Sequence, residues 1–188
     1  MHLVRPTTEH LPSHIAALER GWLPDHLRPA SGSEALEAIT RDPALFLARQ
    51  VDLEGNAPPL SLPDGSIVPR IPGLRKWMWD GEFCGSIGLR WQPGTAELPP
   101  HVLGHIGYSV VPWKQRRGYA TDALRQLLPE ARQLGMPYVE ITTDVDNLAS
   151  QRVIAANGGR LVERFRKPAM YGGAESLRYR IAFDAATG

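Results

Sequence analysis

The chain has 188 residues, room for one domain, and its 21 basic and 20 acidic side chains leave a net charge of +1. That balance excludes wholesale electrostatic binding to nucleic acid or an anionic membrane, and the single cysteine, Cys84, excludes an intrachain disulfide or a thiolate zinc cluster, so no metal is expected. With no apolar run near the ~18 residues of a membrane span and no signal-like stretch after Met1, the expectation is a soluble cytoplasmic protein without a membrane partner.

Thr7 to His10, followed by Leu11, Ile15 and Leu18, combines a hydroxyl start signal with i, i+4 apolar spacing and predicts a helix that Gly21 ends. Ser31 opens a second short helix carrying Leu36 and Ile39, closed by Asp42-Pro43. Leu45 to Val51 reads as a strand. Residues 52–73, rich in Pro and Gly with a turn at Asp64-Gly65, form a long loop or an extra hairpin. Alternating runs on either side of Asp80-Gly81 predict a hairpin whose Trp77, Trp79 and Trp91 pack on a helix.

His105 to Val111 is a strand that Pro112 stops. Gly118 opens a helix with Leu124, Leu127 and Ala131 inward, bent at Pro129 and capped at Gly135. Tyr138 to Thr143 is a strand, and Asn147 caps a helix reaching about Asn157. Strands follow at Leu161-Val162 and from Ser176 to Phe183. This order predicts an α/β (α+β) arrangement of helices on one sheet, in a single domain over 1–188.

The most informative stretch runs from Val111 to Thr121. A strand ends, a basic turn of Gln115, Arg116 and Arg117 follows, and a helix starts at Gly118-Tyr119-Ala120. Helix starts leave amides unpaired and carry partial positive charge. Gly118 and Ala120 obstruct an approaching anion little, and the arginines add charge-assisted hydrogen bonds. The arrangement suits a pyrophosphate; a solvated surface turn is the plainer alternative. There is no P-loop lysine motif and no G-x-G-x-x-G fingerprint.

On the Gln115–Ala120 motif, and on a second segment, Asp146 to Gly159, that carries an Asn-x-x-Ser helix, the chain resembles the GCN5-related N-acetyltransferase (GNAT) superfamily. The resemblance covers residues 75–183 well and the N-terminal helices loosely. It implies a mixed central sheet of about six to seven strands flanked by helices, with a bulged strand splayed from its neighbour to hold acyl-CoA. It places the pyrophosphate on Gln115, Arg116, Arg117, Gly118, Tyr119, Ala120 and Thr121. The pantetheine arm would lie along Tyr108 to Val111, Val110 and Val111 included, with Asn147 and Ser150 contacting it or stabilising the turn beneath it. Asn147 read alone is a helix cap. Gly104 to Val110 and Val153 to Gly159 resemble a bacterial branch of predicted acetyltransferases without an assigned substrate. The Asn-x-x-Ser pattern also occurs in relatives of the ribosomal-protein N-terminal acetyltransferases.

The implied reaction is direct attack of an amine on acetyl-CoA. An amine of pKa ~10.4 costs about 4.6 kcal/mol to deprotonate at pH 7, so a base is useful. Two positions depart from the family pattern. The usual tyrosine of the second helix is Ile154, and a glutamate common five residues before the asparagine is Thr142. The replacement candidates are His105 as base, with Tyr108 and Ser109 placing hydroxyls near the thioester; His105 read alone is a strand-end histidine bonded to backbone. The expectation is an acetyl-CoA-dependent N-acyltransferase acting on a small-molecule or protein amine, with no nucleic-acid partner. Resemblance alone suggests a homodimer. The alternative is a CoA-binding regulatory or partner-binding module without turnover.

Overall fold

Period-two alternation builds the first sheet. The computed structural model describes residues 1–26, 28–62 and 64–183. Strands β5 (Gly73–Trp79) and β6 (Phe83–Arg90) pair antiparallel across the Asp80-Gly81 turn, and β7 (Ile106–Val110) adds to β6 in unbroken register, Gly85 facing Val110 and Leu89 facing Ile106. Two short strands share the other edge of β5: β1 (His2–Val4) against Trp77 to Trp79, and β2 (Val51–Asp52) against Gly73-Leu74. β1 has no counterpart in the sequence reading, because three residues are too few to show a period. The 52–73 segment holds a hairpin, β3 (Leu60–Ser61) with β4 (Ile67–Val68), around the Asp64-Gly65 turn.

Alternate side chains of the sheet feed two cores. Met78, Ile87, Leu89 and Ile106 pack on Ala123, Leu124, Leu127 and Ala131 of α4 (Tyr119–Gln133). Trp77 and Phe83 point the other way, onto Leu11, Ala17 and Leu18 of α1 (Leu11–Glu19), onto Trp22, and onto Ile39 of α2 (Ser31–Arg41). Trp79 is half-buried at the same cluster, whereas Trp91 packs against the first. The strand expected over Leu45 to Val51 is instead α3 (Pro43–Ala48) followed by two strand residues. The Asp42 carboxylate accepts the Leu45 amide at 2.9 Å and Pro43 occupies the first turn, where its missing N–H costs nothing.

The C-terminal part forms a second, three-stranded antiparallel sheet in the order β8 (Tyr138–Asp144), β10 (Glu175–Ala182), β9 (Arg160–Arg166), with α5 (Leu148–Ala156) between β8 and β9. A mixed central sheet with a splayed strand pair was expected; among the described residues the strands form sheets of five, three and two, with only antiparallel pairing, and the five- and three-stranded sheets part between β7 and β8. The two sheets meet where β7 begins. The His105 amide donates to the Glu140 carbonyl at 2.7 Å, and the Glu140 amide donates to His105 Nδ1 at 2.9 Å. Gly104 allows this approach, since a Cβ there would lie 3.1 Å from the Glu140 oxygen. Beyond that point no ladder joins β7 to β8.

Candidate functional site

The turn after β7 is held from below. Lys114, 5% exposed, pairs with Asp80 at 2.5 Å and Glu82 at 2.7 Å, and the Tyr119 hydroxyl donates to Asp80 at 2.6 Å. Although its partial burial opposes ionisation, the lysine and tyrosine donors hold the Asp80 carboxyl far below the usual carboxylate range. This clamp ties the turn to the β5–β6 corner and leaves Gln115, Arg116 and Arg117 exposed. Arg116 and Gly118 both adopt left-handed backbone, at φ 60° and 79°. The first α4 amide with a backbone acceptor is that of Asp122, bonded to the Gly118 carbonyl, so the amides of Tyr119, Ala120 and Thr121 have no partner among the described residues. A Cβ on Gly118 would meet nothing within 4 Å. Open space therefore adjoins three free amides at the positive end of a 15-residue helix, which favours an anion.

From this turn a cleft runs back between the sheets. β7 bonds to β6 through the His105 carbonyl and the Val111 amide, so by antiparallel alternation the backbone groups of Ile106, Tyr108 and Val110 face outward, toward β8. The Val111 expectation is corrected: its amide donates to Cys84, its carbonyl accepts from Lys114, and its side chain is fully buried. The bulge expected in β7 also lies elsewhere, in the β5–β6 ladder between Met78 and Trp79. Across the cleft, Asn147 Oδ1 accepts the Ser150 amide at 3.0 Å, and Ser150 Oγ lies 2.8 Å from the Tyr108 hydroxyl. Burial pushes the Tyr108 phenol up to about 12. Asn157 Nδ2 donates to the Thr121 and Val153 carbonyls, fixing the end of α5 to the start of α4.

His105 does not face this cleft as a free base. It is 1% exposed and its Nδ1 accepts the Glu140 amide. Burial pulls its pKa down to about 4. Its observed part is to join the sheets.

On the opposite face of β7, Ser109 Oγ accepts the Trp22 indole N–H at 3.1 Å and lies 2.9 Å from Nε2 of His26. His26 is exposed and sits in the linker between α1 and α2, eighty-three positions from Ser109. No local pattern marked it in the sequence; only folding of the linker over the sheet brings the pair together. Beside it opens a cavity of about 250 Å³, lined by His14, Trp22, Asp25, Arg75, Trp77 and Ser86 among others. Trp113, beside the basic turn, is covered by the Arg20 guanidinium at 3.6 Å from its ring centre. No group of three or more His, Cys, Asp or Glu among the described residues is arranged to hold a metal ion.

No curated protein matches the sequence. Residues 71–160 match the family model described as acetyltransferase (GNAT) domain. Among solved structures, the microcin C7 self-immunity acetyltransferase MccE in complex with acetyl-CoA and AMP is 14% identical with a TM-score of 0.63, covering 96% of this chain and 91% of its own. The ribosomal L7/L12 alpha-N-protein acetyltransferase RimL in complex with coenzyme A is 18% identical at 0.61, covering 97% and 94%. A putative ribosomal-protein-serine acetyltransferase from Vibrio cholerae is 13% identical at 0.59, covering 96% and 92%. At these identities the structures show a shared fold, and the family match spans β5 to the start of β9. Residues 71–160 carry the pattern of a GNAT acetyltransferase domain, and the whole chain is similar in fold to acetyltransferases of that kind.

Proposed function

We propose that this protein transfers an acetyl group from acetyl-CoA to an amine, with the donor held between the start of α4 and the outer edge of β7 and the acceptor on the other face of the sheet. The observation that carries the reading is the continuity of the unpaired β7 edge with the unpaired α4 amides, one binding an extended amide-containing arm and the other a pyrophosphate. The open space at Gly118 fits a bulky anion. Gln115, Arg116 and Arg117 border it, and Asn147 and Ser150 form the facing wall.

Acetyl-CoA supplies the activated thioester carbonyl; the chain supplies orientation and proton transfer. His26 Nε2, paired with Ser109, takes the proton that the amine loses as its nitrogen bonds to the acetyl carbon. The outward amide of Val110 faces the negative charge developing on the carbonyl oxygen. The Tyr108 hydroxyl, kept protonated by burial, gives its proton to the sulfur as the carbon–sulfur bond breaks. It stands beside Ser150, one helical turn before Ile154, so a strand hydroxyl reaches the region where the family pattern places a helix tyrosine.

Free-thiol release from acetyl-CoA, measured across a panel of amines, tests the proposal. Amine-dependent release at a rate well above hydrolysis is expected. Tight CoA binding with no release across the panel would instead identify a binding module.

A further inference from the structure

Three cross-strand rows floor the acceptor face. The first is Trp77–Ser86–Ser109, the second Arg75–Gly88–Gly107, and the third sets Arg90 opposite Gly73. The two glycines of the second row stand side by side on neighbouring strands and leave it without side-chain relief. The flanking guanidinium groups occupy that space: Arg75 Nε lies 3.9 Å from where a Gly88 Cβ would stand, and Arg90 lies 3.2 Å from the same point on Gly107. Neither arginine has an ion pair or a side-chain hydrogen bond among the described residues. Their charges oppose one another, and Asp25 offsets both. Arg28 is matched by Glu34 at the rim, so the floor keeps an excess of positive charge. His14 adds a second, independent sign of a missing ligand. It lines the cavity that Arg75 also lines, is 3% exposed, and neither ring nitrogen has a partner among the described residues.

We infer that the acceptor is a small amine that also bears an acidic group, carboxylate or phosphate, held by the guanidinium groups of Arg75 and Arg90 that lie over Gly88 and Gly107, while its nitrogen reaches Ser109 and His26. The inference rests on the acetyl-transfer reading for the identity of the amine end. Successive rows on one face of a strand are about 7 Å apart, so the acid and the nitrogen are separated by roughly four or five bonds. A cavity of about 250 Å³, lined by Arg75, Trp77 and Ser86 of the first two rows, adjoins this face and leaves room for the rest of a molecule of that size. Two guanidinium groups with no other hydrogen-bonding commitment provide the fork geometry that carboxylate and phosphate oxygens match.

Isothermal titration calorimetry on the CoA-loaded protein tests this without requiring turnover. The probes are 5-aminopentanoate against its primary amide, and 3-aminopropyl phosphate against 3-aminopropanol. At least tenfold tighter binding of an acidic member than of its neutral partner is expected, and which pair discriminates identifies carboxylate or phosphate. Arg75→Gln and Arg90→Gln, each checked for folding by its affinity for CoA, should cut that preference at least fivefold. Equal binding within both pairs, or a preference unchanged in both variants, would overturn the inference. Failure of the acetyl-transfer reading appears separately, as acidic-amine binding without thiol release.

Discussion

At the scale of single residues, two histidines exchange the parts that their sequence contexts suggest. His105 stands beside the phosphate motif and looks like a base, yet it is buried and its Nδ1 accepts a backbone amide. His26 stands in an unremarkable linker and meets the Ser109 hydroxyl. His26→Gln is expected to lower kcat about 100-fold with CoA affinity unchanged, as read by steady-state kinetics and calorimetry. His105→Ala should act on stability, costing roughly 1–3 kcal/mol by leaving the Glu140 amide unpaired, as read by urea denaturation. Burial lowers His14 to about 3 and His105 to about 4 from an ordinary 6.5. The unfolded chain therefore binds more protons between those limits, so stability is complete above pH 6.5 and declines as pH falls toward 4. Denaturation midpoints at pH 7 and pH 5 check the sign, with the lower midpoint expected at pH 5. Tertiary burial sets these values, which is why composition and spacing could not reveal them.

Elements with strong local signals were legible. The Asp80-Gly81 hairpin, the α4 start at Gly118 and the Asn147 cap all form at the positions their residues predict, because turn geometry and capping are decided within a few residues. Leu45 to Val51 is a short apolar run that fits either period, and Asp42-Pro43, which closes α2, also supplies the start signal of α3. Lys114 was passed over inside a basic turn, although its burial against Asp80 is what holds that turn in place. Gly118→Val tests the turn itself. At φ 79° a β-branched residue is strained by roughly 1–2 kcal/mol, and its methyl groups would enter the open space beside the α4 amides. CoA dissociation constants should rise at least tenfold, while the urea midpoint falls only modestly.

For the molecule as a whole, the paired motifs and the elements between them point to the architecture and, through the resemblance, to a splayed strand pair, but the residues alone do not show where the strands part. Whether two neighbouring strands bond or part depends on the packing of both sheets, which no local pattern encodes. The acceptor face was hidden for the same reason: Arg75, Gly88, Gly107 and Arg90 share it only through the register of three strands. No described helix is long and apolar enough to cross a membrane. Donor occupancy should be felt globally, since a ligand at a hundred times its dissociation constant raises stability by about 2.7 kcal/mol; CoA-dependent denaturation curves check this.

The seam between the sheets is stitched by one imidazole and one backbone carbonyl. A proton added to that imidazole turns its Nδ1 from acceptor to donor, facing another donor, so acid should loosen the stitch before either half melts. Amide exchange at Glu140, followed while pH is lowered toward 4, would then outpace exchange at Ile87 and Ile181 within the two halves it joins.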